Sequence, residues 1–120
     1  MNLQTTILRV ISLPRKFYQN GDVSIHSLLR DSGYFEMYEL VSEEALCAAI
    51  YDHPEYINDW LSFSEDKRTS GWYFQRSSNE QWEVGYVSAG GGSIDAARYS
   101  DPARACASFV KHEVEDIRTT

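Results

Sequence analysis

Apolar positions along the chain change from helical to twofold spacing near Thr69 and return to helical spacing near Ser100. From Asn2, a helix cap, LQTTILRVISL sets Leu3, Ile7, Val10 and Ile11 at helical spacing until Pro14 interrupts it. The β-branched residues of this segment also suit a strand, so both assignments stay open from pattern alone. Asn20-Gly21 marks a turn, after which Asp22 or Ser24 caps a short helix carrying Ile25, Leu28 and Leu29 that ends before Gly33. Residues 34–41 are aromatic and acidic without a clean period and read as a connector or one distorted helical turn. Ser42 is an N-cap with Glu43 and Glu44 in the first turn, where the helix dipole favours carboxylates; Leu46, Cys47, Ala49 and Ile50 form the buried side. Pro54 pushes His53 out of helical geometry and suits the start of another helix, running to about Asp66 with Ile57, Trp60 and Leu61 inward.

Beyond Thr69 the period is two. GWYFQR and QWEVGYVS, joined through Ser-Ser-Asn-Glu, predict a hairpin, and SIDAARYS adds a third antiparallel strand after a glycine-rich turn. Trp72 and Phe74, with Trp82, Val84 and Tyr86, define a core face; Tyr73 and Tyr99 fall on the opposite face as contact residues. Ser100 or Asp101 opens the last helix, Pro102 takes an early position, and Cys106, Phe109, Val110, Val114 and Ile117 share one stripe. The predicted fold is α+β: N-terminal helices, then a small antiparallel β-meander of about three strands covered by a C-terminal helix, in a single domain over 1–120.

Composition adds that the chain folds: 42% hydrophobic and 13% aromatic residues describe a globular protein. No apolar run approaches the ~18 residues that span a bilayer, and the N-terminus lacks a secretory signal's apolar core, so the expected location is cytoplasmic, with no membrane contact. Cys47 and Cys106 are too few for a disulfide framework and read as reduced, buried thiols. Charge changes the picture more. Residues 31–66 hold ten carboxylates and no lysine or arginine; the other 84 residues hold 11 basic and 8 acidic side chains, so a regional −10 and +3 make up the net −7. Such a field repels phosphate, which argues against direct nucleic-acid binding, and attracts a basic partner.

Chemistry-bearing motifs are sparse. His26, His53 and His112 lie in different segments, without metal-ligand spacing, and no metal or cofactor is expected. His53, between Asp52 and Glu55, reads as a polar group at a helix break; an enzyme built on Asp52 and His53 is the weakest-supported function, and no catalytic residue is assigned. The glycine run lacks the Gly-Lys-Ser/Thr ending of a phosphate loop.

The acidic segment reads either as a solvated face that keeps the protein dispersed or as a binding surface, and its interleaved aromatic residues favour the second. In the helix after Pro54, Glu55, Asp59, Ser62 and Asp66 share one stripe with Tyr56 at its edge, and no cation within the helix pairs with them. Glu65 and Asp66 stand at its C-terminus, where the dipole disfavours negative charge. Carboxylates interleaved with Tyr34, Tyr38, Tyr51, Tyr56 and Trp60 suit a basic protein surface, the field speeding encounter and the rings supplying short-range energy. The expected partner-binding residues are Glu43, Glu44, Asp52, Glu55, Tyr56, Asp59, Glu65 and Asp66.

GWYF, QWEVGYVS, the glycine loop and YSDPARACASFVKHEVEDI, over roughly residues 71–118, together with the size and the acidity, resemble the immunity proteins of bacterial contact-dependent inhibition and other polymorphic toxin systems. The resemblance is one of general pattern and carries no residue roles. It implies a non-catalytic cytoplasmic protein that binds a cognate toxin domain and blocks it. A non-inhibitory adaptor or regulatory module binding another basic protein is the alternative.

Overall fold

The computed structural model describes residues 2–120 apart from 68, 69 and 79, with the side chains of 93–95 outside the description. In chain order the elements are α1 (Leu3–Ile11), α2 (Leu13–Gln19), α3 (Ile25–Asp31), α4 (Tyr34–Met37), α5 (Glu43–Asp52), α6 (Glu55–Asp66), β1 (Gly71–Arg76), β2 (Trp82–Val87), β3 (Ser93–Tyr99) and α7 (Pro102–Arg118). The fold is α+β, a helical N-terminal part followed by an antiparallel sheet in the order β1-β2-β3 and a closing helix. No helix among the described residues is long and apolar enough to cross a membrane.

Side-chain caps explain where several helices begin. Asn2 Oδ1 accepts the Thr5 N–H at 2.8 Å, Ser24 Oγ that of Ser27 at 3.0 Å, Ser42 Oγ that of Ala45 at 3.1 Å, and Asp101 Oδ1 that of Ala103 at 2.9 Å. The first segment is helix rather than strand: with Asn2 capping it, one stripe carries Ile7, Val10 and Ile11 into the core. Pro14 does not end helical structure, because the chain re-caps at Ser12 and the proline sits in the first turn of α2, where its missing N–H has no partner to lose. Gly33 adopts φ +90° between α3 and α4, a conformation unfavourable for any residue with a Cβ. Tyr34 then points inward and is fully buried, its hydroxyl donating to Glu115 Oε2 at 2.5 Å.

The inner face of the sheet carries Trp72 and Phe74 from β1 opposite Tyr86 and Val84 of β2, with Phe74 and Val84 buried. Phe74 stacks on Phe109 of α7, and Trp60 of α6 meets Phe109 edge-on while its Nε1–H donates to the Ile11 carbonyl at 2.9 Å. α6 also covers the outer edge of β1: Ser64 Oγ accepts the Phe74 N–H at 2.7 Å, satisfying a donor that no strand reaches.

Two expectations about the C-terminal part need correction. α7 is buried well beyond one stripe, Ala103, Ala105 and Ala107 joining Cys106, Phe109, Val110 and Val114, because it packs on all three strands on one side and on α3, α5 and α6 elsewhere. Tyr99 is not on the outer sheet face: it pairs with Trp82, so it shares the inner face, and its hydroxyl reaches Ser108 Oγ at 3.3 Å. Tyr73 does face outward, but lies across Gly85, where a Cβ would come within 2.6 Å of the Tyr73 oxygen, and donates to Glu83 Oε2 at 2.5 Å. The ring covers a strand glycine, and its hydroxyl is engaged within the sheet.

Candidate interaction surface

The eight sequence-predicted contact residues divide into four places. Glu43 and Glu44 occupy the exposed first turn of α5, stabilised there by the uncompensated N–H groups of the helix start. Asp52 is exposed at the other end of α5, next to the break made by His53 and Pro54, and Glu55 opens α6 beside it. Glu65 and Asp66 close α6 and are exposed.

The middle of the α6 stripe is not the open face expected. α2 packs along α6, bringing Arg15 Nε to 2.9 Å from Asp59 Oδ2, a charge contact whose N–H is off-line for a hydrogen bond. The Arg15 guanidinium lies 5.0 Å from the centre of the Tyr56 ring, so Tyr56 is half-covered too. Tyr18 of α2 donates to Asp66 Oδ2 at 2.7 Å; desolvation first, and then the carboxylate, push the Tyr18 phenol up to about 12. Asp59 and Tyr56 are therefore engaged by an arginine from a distant segment, which takes the Asp59 charge out of the open surface, while Asp66 keeps its charge and is tied to a phenol.

Six other carboxylates of the segment stay unpaired among the described residues. Among the described residues, Glu36, Glu39, Glu43, Glu44, Asp52 and Glu65 make no ion pair. The cations that reach this region from α7 bind tyrosines instead. Lys111 Nζ donates to the Tyr38 carbonyl at 2.7 Å and to the Tyr34 hydroxyl at 2.9 Å, while Arg118 lies 3.7 Å above the Tyr38 ring and pairs with Glu115 at 2.7 Å. Desolvation lowers the Lys111 pKa, with nearby Glu115 and Glu43 opposing the shift.

Two exposed apolar groups stand in this acidic zone. Leu40 is 62% exposed between Glu39 and the start of α5, and Tyr51 is 56% exposed on the outer side of α5. Leu40, Glu36 and Glu39 were outside the expected contact set. Their signal was the lack of helical period over 34–41, which left a leucine and two carboxylates with no assigned inward or outward side.

α5, α7 and β3 enclose a half-open groove of about 730 Å³, lined by Glu43, Glu44, Cys47, Ala48, Tyr51, Tyr99, Arg104, Ala107 and Lys111. Tyr51 spans one end, its hydroxyl donating to Asp101 Oδ2; that hydrogen bond is the first cause holding the phenol up near 12. Burial raises the Cys47 thiol above its ordinary value, so this partly exposed sulfur is a weak nucleophile.

The histidines stay apart. His26 packs edge-on against Phe35, His112 stacks on Trp72 at 3.9 Å, and His53 closes α5 through its backbone N–H while its ring leans on Tyr56 and lies 3.5 Å from Glu55. Asp52 and His53 thus stand at a surface helix junction, as a backbone-capping role requires. Among the described residues, no three histidine, cysteine or carboxylate side chains converge as a metal site. No protein-family model, curated protein or solved structure matches this chain, so its functional reading rests on the geometry above.

Proposed function

We propose that this protein is an immunity-type inhibitor acting in the cytoplasm, which neutralises a basic toxin domain by docking its acidic surface onto it. The observation that carries the reading is the set of carboxylates that make no ion pair among the described residues, Glu36, Glu39, Glu43, Glu44 and Asp52, together with exposed Leu40 and Tyr51. Unpaired surface charge steers a cationic partner over distances up to a Debye length, roughly 8 Å at physiological salt, and exposed rings and leucine supply contact energy on arrival. The centre of the surface is α5 rather than the middle of α6, because Arg15 already neutralises Asp59.

The test is binding and protection against the toxin domain encoded beside this chain. Glu43→Lys with Glu44→Lys is expected to slow association about tenfold at low salt and to flatten its salt dependence. Unchanged association and salt dependence would remove this surface from the account. Binding without loss of toxin activity would assign the chain to the adaptor class instead.

A further inference from the structure

The groove beside α5 and α7 has the form of a helical bundle lacking one member. The two helices run antiparallel: Tyr51, near the carboxyl end of α5, bonds Asp101 at the amino end of α7, whereas Glu43, at the amino end of α5, lies near enough to act on Lys111 well along α7. From Glu43 to Tyr51 the groove is about 12 Å long at 1.5 Å per residue, a little over two helical turns. Its floor is formed by Ala48, Cys47 and Ala107, residues small enough to let another helix axis approach to the usual 8–10 Å.

The two ends differ in charge. Glu43 and Glu44 face Lys111 at one end, and two carboxylates against one ammonium leave that end net negative. At the other end, Arg104 is exposed and makes no ion pair or hydrogen bond among the described residues, and with Asp101, which accepts the Tyr51 hydroxyl there, it leaves that end close to neutral. A helix presents about half a positive charge at its amino end and half a negative charge at its carboxyl end. Laid in this groove it has one favourable direction.

We propose that the groove receives a single two-turn helix of the protein partner, amino end at Glu43 and Glu44, carboxyl end at Arg104, and small residues against Ala48 and Ala107. This rests on the protein-binding reading above and deepens it by naming the partner's secondary structure, its direction and its seat.

Two variants and one native thiol test it, with the toxin domain encoded beside this chain as the probe. Ala48 is exposed, so Ala48→Arg fills the groove without disturbing the core, and unchanged circular dichroism checks this. Ala48→Arg is expected to speed dissociation at least about tenfold, and Arg104→Glu about threefold or more. Cys47 is the partly exposed thiol, Cys106 being buried, so its alkylation by iodoacetamide is expected to slow at least about fivefold in the complex. Unchanged dissociation for both variants, with Cys47 reacting equally fast, would overturn the proposal. If Glu43→Lys with Glu44→Lys still weakened that complex, the inhibitor reading would stand and only the groove assignment would fall. No binding by the unaltered chain would remove both. Cys47 protection in the chain alone, accompanied by a dimer on sizing, would give the groove to a second copy and likewise overturn the proposal.

Discussion

Replacing Lys67 with methionine isolates the most deeply buried charge among the described residues. Glu113 of α7 is only 3% exposed, and its carboxylate is held by Lys67 Nζ at 2.9 Å; the same ammonium donates to the Trp72 carbonyl at 3.1 Å. Lys67 thus pins the connection between α6 and β1 to the C-terminal helix. Removing one partner of a buried pair costs about 3 to 5 kcal/mol, because the other charge is left without compensation. The Lys67 side chain is 22% exposed, so water replaces part of what it supplied, and about 2 to 3 kcal/mol is expected. With a urea slope of about 1.5 kcal/mol/M, the midpoint falls by roughly 1.3 to 2 M.

The pH dependence identifies the cause. Burial raises the Glu113 pKa above the ordinary glutamate value, and Lys67 opposes that rise through its hydrogen bond and charge. Without Lys67 the carboxyl climbs further, so the folded variant binds a proton more readily than the unfolded chain does. Its deficit against the parent must therefore shrink as pH falls and grow as pH rises from the ordinary glutamate range through the raised folded value. Urea unfolding at about pH 5.5 and about pH 8, followed by tryptophan fluorescence, tests this sign. The double variant Lys67→Met with Glu113→Leu recovers most of the loss, since apolar replacement of a buried pair is close to neutral. A deficit under about 0.5 kcal/mol at the higher pH, or an equal deficit at both, would refute the argument.

Gly85→Ala places a Cβ 2.6 to 2.8 Å from the Tyr73 ring and hydroxyl, so the ring must leave its seat over the strand; about 1 to 3 kcal/mol is expected in urea unfolding, and a smaller loss when Tyr73→Ala is already present. The Glu83 carboxyl is held below its ordinary value, chiefly by the Tyr73 hydroxyl and further by Arg98, so its stabilisation is present above the ordinary glutamate pKa and lost as pH falls through the depressed folded value. Glu83→Gln should flatten that acid limb, and an unchanged limb in acid-unfolding curves would show that the Tyr73 bond has no energetic weight.

Much of the fold was legible because its signals are local. Ser42, Ser24 and Asp101 cap helices where their side chains meet free N–H groups, the Pro54 break falls at His53, and alternation in 71–76 and 82–87 marks the inner sheet face. What depended on tertiary neighbours was not. The extra residue in β3 opposite Val84 to Tyr86 alters the simple count along that strand, and Tyr99, paired with Trp82, turns inward. The alanines of α7 lay outside the expected stripe, yet they are buried and let it sit between the sheet and α5. For the interaction surface, the stripe on α6 was correctly placed on one helical face, but helical spacing says nothing of α2 lying across that face.

That last point bears on how an acidic segment acquires a function. A carboxylate run without local cations can be neutralised from elsewhere in the fold or left available, and both outcomes occur within one stretch of this chain. Arg15 reaches Asp59, whereas the cations nearest α4 and α5, Lys111 and Arg118, are taken by Tyr34, Tyr38 and Glu115. Because those tyrosines and Glu115 occupy the cations, Glu36, Glu39, Glu43 and Glu44 keep their field, and the interleaved aromatic residues of the acidic segment have a second use besides contact. They engage Lys111 and Arg118, neither of which forms an ion pair with the acidic segment. Surface negative potential here is thus a product of how Tyr34 and Tyr38 pack: Tyr38→Leu would loosen Arg118, let it turn toward the nearby acidic groups, and weaken attraction for a basic partner without removing a single carboxylate.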